Sequence, residues 1–325
     1  MKSSWMCRNY KKGDETQILS LFEKVFGKKM TLDFWKWRFV ENPFGRGVIK
    51  LLFDNDLLIG HYAVIPTAIQ VKNNLTKAVF SMTTMTHPNY RTQGIFSYLA
   101  EETYKESAKR EFKFVYGFPN KNSYYGFIQK LGWKDFGKMT ILYKEIEENS
   151  FASGLQTSDV YEIECFSNDT DSLWSRVKKD YYVIVPRTKD FLNWRFSKNP
   201  DMNYKIFSIK GGDGISGYVV LKLYQKEDEK VGHIVDILGI NNSIVKKLLQ
   251  TSYDYFSRNK IKKISCWMQN SYPYSVLMKK EGFIRKKADA ETYFGVRIFD
   301  KDNNFLKDVE CFSNWYLTMS DSDVF

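Results

Sequence analysis

The sequence predicts an α+β chain made of two copies of one mixed-sheet domain. Residues 31–43 read TLDFWKWRFVENP and residues 188–200 read TKDFLNWRFSKNP, with eight of thirteen positions identical. Asn-Ser-Tyr followed by Lys-Leu-Gly-Trp within 122–133 returns as Asn-Ser-Tyr followed by Lys-Glu-Gly-Phe within 270–283. Between these landmarks, alternating apolar runs give way to helical spacing, so each copy carries both the strand and the helix period.

In the first copy, residues 7–10 predict a short strand, and Asp14 is placed to cap a helix that runs to residue 25. The Trp-Arg segment forms a second short helix. Residues 48–53 and 57–65 alternate on either side of Asp54-Asn55-Asp56 and predict a hairpin. A strand over 78–86 leads into a helix over 94–110, where Phe96, Leu99, Ala100, Thr103, Tyr104 and Ala108 share one face. A strand at 112–117, a helix at 123–131 and a closing strand at 139–143 complete the copy. The second copy repeats this order, with strands at 160–165, 204–209, 215–223, 231–238 and 264–268 and a closing strand at 293–298. The Ser/Gly/Glu-rich stretch 147–158 marks the boundary, giving domains 1–147 and 155–325.

Composition narrows the chemistry. With 325 residues, 43% of them hydrophobic, the chain has material for two cores. No apolar run approaches the ~18 residues of a membrane span, and the start lacks the apolar stretch of a signal peptide. Cys7, Cys165, Cys266 and Cys311 are far apart in sequence and read as reduced thiols, which predicts a cytoplasmic setting. Three histidines (His61, His87, His233) and no cysteine cluster argue against a metal site of the zinc kind. The absence of a Gly-x-Ser-x-Gly elbow argues against a serine hydrolase. The net charge is +11: residues 1–150 hold 23 basic against 15 acidic side chains, and the rest 26 against 23. The excess lies towards the N-terminus without a block of like charge, which makes nucleic acid an unlikely partner.

The stretch HPNYRTQGIF, residues 87–96, sits at a strand-to-helix corner. A helix N-terminus offers unpaired N–H donors and the positive end of the helix dipole, and so favours an anion. Gly94 lets backbone approach a phosphate without a Cβ in the way, and Arg91 can add a charge-assisted contact. The corner is built as a diphosphate seat.

The order of hairpin, strand, Arg-x-x-Gly, long helix, strand and NSY…KLGW resembles the GNAT superfamily of acyl-CoA-dependent N-acyltransferases. The first copy carries the resemblance over nearly all of residues 1–145, through HPNYRTQGIF, PNKNSYYGFIQKLGW and the opening CRNYKKGDETQILSLFEKVFG. The two-copy layout resembles tandem-GNAT proteins of the enhanced-intracellular-survival type. Phe96 departs from the family pattern, which has Gly or Ala at that position.

The resemblance implies two domains, each a mostly antiparallel sheet flanked by helices, and acetyl-CoA as acyl donor without a metal. By position, Thr84, Met85 and Thr86 would pair with the pantetheine arm, and the amides of Arg91, Thr92, Gln93, Gly94, Ile95, Phe96 and Ser97 would hold the diphosphate. Asn120 would reach the pantetheine amide region. Many members use a tyrosine four residues before the glycine of KLGW to stabilise the thiolate. That position is Ile128 here, which leaves Tyr125, and beside it Tyr124, as candidate acids one turn earlier. No base is identifiable, although some relatives use a terminal carboxylate and this chain ends in Phe325. The implied acceptor is an amine on a small molecule, such as an amino sugar or its nucleotide derivative. Aminoacyl transfer from charged tRNA and a non-catalytic CoA- or nucleic-acid-binding module are the competing readings.

The copies are unequal. The Trp-Arg repeats lie 157 positions apart and the Asn-Ser-Tyr repeats 148, so the second copy is nine residues shorter across the stretch that holds the corner in the first. There it reads DILGINNSIV, with no Arg-x-x-Gly. Asn242 or Ser243 is placed to cap the helix, and Asp236 stands near the strand end, where it would repel a diphosphate. The second copy is thus expected to contribute structure and part of an acceptor cleft, with His233 and Asp236 lining it.

Overall fold

The computed structural model describes residues 4–146, 159–212, 214–226, 229–285, 291–299 and 304–325, so the boundary stretch 147–158 lies outside the described residues. The chain opens with β1 (Trp5–Asn9) and α1 (Glu15–Phe26), which buries Ile18, Leu21 and Phe22 at helical spacing and ends at Gly27, φ +68°. Asp14 precedes α1 but does not cap it. Its carboxylate instead grips the Arg8 guanidinium at 2.7 Å through both oxygens and accepts the Lys11 N–H. α2 (Leu32–Phe39) is capped by Thr31, whose hydroxyl accepts the Phe34 N–H at 3.1 Å.

β2 (Val48–Asp54), β3 (Leu57–Val71) and β4 (Asn74–Thr86) follow as an antiparallel run. β3 and β4 are longer than the alternation predicts because β3 is buried along nearly its whole length and reads as a continuous apolar run. α3 (Ile95–Lys109) lies on this sheet, with Ile95, Leu99, Ala100, Thr103, Tyr104 and Ser107 buried. Ser107 takes the inward place expected of Ala108 by bonding back to the Thr103 carbonyl at 2.7 Å. Gly60 makes the close approach of α3 possible, since a Cβ there would stand 2.6 Å from the Ile95 side chain. β5 (Phe114–Gly117), α4 (Lys121–Tyr125) and β6 (Lys134–Lys138) complete the first stretch, with a π-helical turn at Gly126–Lys130 where one continuous helix was expected.

The second half carries β7 (Ile141–Glu145), β8 (Val160–Ile163), α5 (Asp169–Val177), β9 (Val183–Ile184) and α6 (Lys189–Leu192). β10 (Lys205–Gly211), β11 (Gly214–Lys226), β12 (Glu229–Gly239) and α7 (Asn242–Arg258) come next, then β13 (Lys263–Trp267), α8 (Pro273–Lys280), β14 (Ile284–Arg285) and β15 (Tyr293–Ile298). Thr188 caps α6 by accepting the Phe191 N–H, as Thr31 caps α2. Arg38 and Arg195 are both buried in the Trp-Arg segments. The repeated motif is therefore a structural one, a capped helix that carries aromatic rings and an arginine into each core.

Two compact units result, and neither is contiguous. One comprises residues 1–69, 74–138 and 292–310; the other 70–73, 139–291 and 311–325. The first sheet runs β1-β2-β3-β4-β5-β15-β6, and the second, in the matching direction, β8-β10-β11-β12-β13-β7-β14. Each closing strand has thus changed places with its counterpart: β15 lies between β5 and β6, and β7 between β13 and β14. The contiguous division at 147 gives way to this exchange, which no local pattern betrays because a strand's period is blind to its partner. The sheets are mostly antiparallel, with parallel pairs at β4–β5 and β12–β13. The core of the first unit, including Val48, Leu52, Tyr62, Val79, Leu99, Val115 and Trp133, sits between sheet and helices.

A fragment ending at residue 147 lacks β15, whose Phe294 and Val296 are buried and whose backbone joins β5 to β6. Circular dichroism is expected to show no cooperative melting of that fragment, in contrast to the full chain. A fragment that melts cooperatively would show that β15 is dispensable.

Candidate functional site

β4 and β5 pair in parallel through only three residues each, Val79 to Ser81 against Val115 to Gly117. Beyond Gly117 the chain follows β15 instead: Pro119 accepts the Tyr293 N–H at 2.9 Å, and Asn120 bridges to Thr292. β4 continues past β5 through Thr83, Thr84, Met85 and Thr86, beside β3. The sheet forks here, leaving backbone on the β4 side for an extended ligand.

Inside the fork, Thr83 holds φ +54°. A β-branched residue in the left-handed region costs on the order of 1–3 kcal/mol and persists only where its surroundings enforce it. Met85 is buried, and Thr84 and Thr86 are half-buried. After them the chain is pinned: the His87 N–H bonds the Ile59 carbonyl at 2.9 Å, and the His87 Nδ1 accepts the Asn89 N–H at 3.3 Å. Lys24 Nζ lies 3.2 Å from His87 Nε2, and burial, with the Lys24 charge, lowers the His87 pKa. Tyr90 donates its hydroxyl proton to Asp54 at 3.1 Å. His87, Tyr90 and Asp54 therefore support the corner, a role their sequence positions did not reveal.

The loop itself is exposed from Arg91 to Gly94, and it carries two left-handed residues, Thr92 at φ +65° and Gly94 at φ +78°. Gly94 is the N-cap of α3 and has no side chain to fold back on the helix, so the amides of Ile95, Phe96 and Ser97 keep their donor capacity. The corner thus presents an exposed loop and a helix start without a capping side chain. Phe96 also finds its reason. Its ring packs edge-on against Phe127 at 5.2 Å and lies where a Cβ on Gly126 would stand 2.8 Å away. A bulky residue at this position is matched by a glycine on the facing helix.

The other predicted residues gather near the far side of the fork, in different states. Asn120 caps α4: its Oδ1 accepts the N–H groups of Asn122 at 2.9 Å and Ser123 at 3.1 Å, which leaves only its Nδ2 for a ligand. Tyr124 stacks on Tyr293 with ring centroids 4.1 Å apart and gives its hydroxyl proton to Asp135, a bond that raises its pKa to about 12. Tyr124 is committed to that carboxylate. Tyr125 is 65% exposed.

The second unit fills the equivalent fork. Tyr316 bonds the Ile237 carbonyl at 2.8 Å, and Tyr274 bonds the Gly239 carbonyl at 2.9 Å. Asp236 does not act by repulsion as expected. It is fully buried against Arg187, with Nε–Oδ2 3.0 Å, and Arg187 pairs with Asp321 at 2.8 Å. α7 is capped by Asn241, whose Oδ1 accepts the Ile244 N–H at 3.0 Å, one residue earlier than predicted. His233 is buried within the same unit against Ser265 Oγ at 2.7 Å. Phe325 is packed rather than loose: Arg195 and Tyr204 bond its backbone oxygen at 2.6 and 3.0 Å, and its ring lies against His233 and Trp267.

Residues 6–135, which hold the fork and the corner, match the model of the acetyltransferase (GNAT) domain. This segment is a GNAT domain. Solved structures share the fold over 91% of the chain. A probable N-acyltransferase from Enterococcus faecalis matches at 12% identity over 73% of its own length, TM-score 0.70. A GCN5-related N-acetyltransferase from Anabaena variabilis matches at 14% over 73%, TM-score 0.69. N-myristoyltransferase of Saccharomyces cerevisiae with bound myristoyl-CoA matches at 11% over 83%, TM-score 0.64. No curated protein matches the chain in sequence. Among the described residues, no helix is long and apolar enough to cross a membrane, and no group of His, Cys, Asp and Glu is arranged to hold a metal.

Replacing Gly94 by Val forces a Cβ-branched residue to φ +78°, while no protein atom lies within 4 Å of the added Cβ. Its expected effect is a loss of CoA affinity of about tenfold or more, with a fall in melting temperature of a few degrees from backbone strain of about 1–3 kcal/mol. Arg91→Ala should weaken binding less, by about 1 kcal/mol at an exposed contact. Calorimetry showing unchanged CoA affinity in the Gly94 variant would remove the diphosphate assignment.

Proposed function

We propose that the chain is an acyl-CoA-dependent N-acyltransferase that moves an acyl group, with acetyl the first candidate, to the amine of a small molecule. The observation that carries this reading is the pairing of a forked sheet with an uncapped helix N-terminus at Gly94, inside the GNAT segment. The myristoyl-CoA bound by the yeast neighbour supports an acyl-CoA ligand for this fold. An amino sugar or its nucleotide derivative is the acceptor class we favour.

In this reading the amides from Gln93 to Ser97 hold the diphosphate and Arg91 adds charge. Thr84, Met85 and Thr86 pair with the pantetheine arm, and Asn120 meets its amide region through Nδ2. The thioester then lies along β4, where backbone N–H groups near Met85 and Thr86 polarise its carbonyl. The amine attacks the carbonyl carbon and gives up a proton to water as the C–N bond forms, the C–S bond breaks, and the thiolate leaves with a proton from a nearby donor that solvent then reprotonates. Tyr125 is our candidate donor, because Tyr124 spends its proton on Asp135. The filled fork of the second unit supports one acyl-CoA per chain.

The test is thiol release from acetyl-CoA against a panel of amines, aminoglycosides and amino-sugar nucleotides. Release above hydrolysis with at least one amine is expected, and no release with any of them would defeat the reading. In the active pair, Tyr125→Phe should lower kcat by about threefold to thirtyfold while the KM for acetyl-CoA stays close to wild type, since a thiolate donor acts in the transition state. Unchanged kcat would remove Tyr125 from the mechanism.

A further inference from the structure

His61 is wholly buried on β3, opposite Leu51 of β2 and edge-on to Phe39 of α2 with ring centroids 6.2 Å apart. Its Nδ1 lies 2.8 Å from the backbone oxygen of Thr83. A carbonyl can only accept, so Nδ1 carries the proton. The other ring nitrogen, Nε2, is buried with no hydrogen-bond partner among the described residues. A ring with no exposed surface cannot take a proton from a substrate. What it can do is hold Thr83.

Thr83 is the residue at φ +54°, within β4 and just before the three residues assigned to the pantetheine arm. A left-handed residue in a strand takes its own peptide out of the ladder, as in a β-bulge, and resets the alternation beyond it. Were Thr83 to relax to extended backbone, Thr84, Met85 and Thr86 would slip by one residue and turn their faces over. The His87 N–H to Ile59 bond fixes the strand after the bulge, and the His61 bond fixes the bulge itself.

The second unit shows the alternative. At the same 157-residue offset that relates Trp37 to Trp194, Tyr218 stands where His61 does. The β11–β12 register also shifts there, between Val220 and Leu221. Yet no described non-glycine residue of β12 has a positive φ, and Tyr218 donates to the Asp236 side chain at 2.8 Å rather than to backbone. The histidine bond and the left-handed threonine occur together, in the unit that carries the Gly94 corner.

We propose that His61 is a positioning residue that, through Nδ1–H, holds the Thr83 carbonyl and so sets the register and facing of Thr84–Thr86 toward acyl-CoA. The inference rests on the acyltransferase reading for its kinetic consequence and on the free protein for its structural one. Burial lowers the His61 pKa to about 4, so the ring stays neutral near pH 7 and keeps the Nδ1 proton for this bond.

Three full-length variants test it. His61→Leu removes the donor, His61→Asn restores an N–H near the Nδ1 position, and Thr83→Gly adopts a positive φ without strain. In the free protein, backbone Cα and Cβ shifts at Thr83 should move from left-handed to extended values in His61→Leu, with the amide shifts of Thr84–Thr86 changing alongside, and all should stay in place in His61→Asn. In turnover of acetyl-CoA, His61→Leu should lose about tenfold or more in kcat, with a smaller loss of CoA affinity because the pantetheine arm loses partners while the diphosphate seat is elsewhere. Adding Thr83→Gly should return kcat to within about threefold of wild type, a rescue that lost packing would not show. If His61→Leu fails to fold, the Asn variant decides alone: retained shifts and kcat support the clamp, and extended shifts overturn it. Wild-type shifts in His61→Leu, or failure of Thr83→Gly to restore its kcat, would also overturn it. A wild-type protein that releases no thiol from any acceptor would count against the acyltransferase reading, while the shifts would still decide the clamp.

Discussion

The feature on which the rest depends is the brevity of the β4–β5 pairing. Three residues on each strand are joined, and then the strands part. Beyond Gly117 the two strands diverge. β5 and its extension stay with β15 on their other edge, a strand delivered from residues 293–298. β4 stays beside β3, turns at Thr83 and hands the chain to a loop that ends in an uncapped helix. The parting opens the β4 edge that faced β5.

The second unit shows what the same topology becomes when the fork is closed from within. Tyrosine hydroxyls occupy the carbonyls of Ile237 and Gly239, and Asn241 caps α7. Arg187, fully buried, pairs with Asp236 and Asp321. Burying such a cluster is costly, and removing one partner would leave an unpaired charge in the core. A unit that carries it is committed to a filled interior. The two units share a strand order and differ in what lies at the fork.

Much of this was legible in the chain. The thirteen-residue repeat marked two matching segments because a threonine cap, aromatic rings and a buried arginine must recur at fixed spacing to build the same corner twice. HPNYRTQGIF located the start of α3 because a helix start without a capping side chain has a local signature. The strand exchange was not legible, since alternation specifies a face and never a neighbour. Nor was the left-handed backbone at Thr83: a β-branched residue is a poor choice for a positive φ, and the imidazole that meets its carbonyl comes from His61, twenty-two positions away. Tyr124 and Tyr125 were indistinguishable in sequence, and the carboxylate that separates them comes from the next strand.

The central claim is that acyl-CoA is held at the start of α3, and amide chemical shifts of the full chain during CoA titration test it most directly. The account predicts large shifts at Gly94, Ile95, Phe96 and Ser97, with those of Asn242, Ser243 and Ile244 at the start of α7 unmoved. Shifts confined to the α7 start, or none at either helix under saturating CoA, would contradict it.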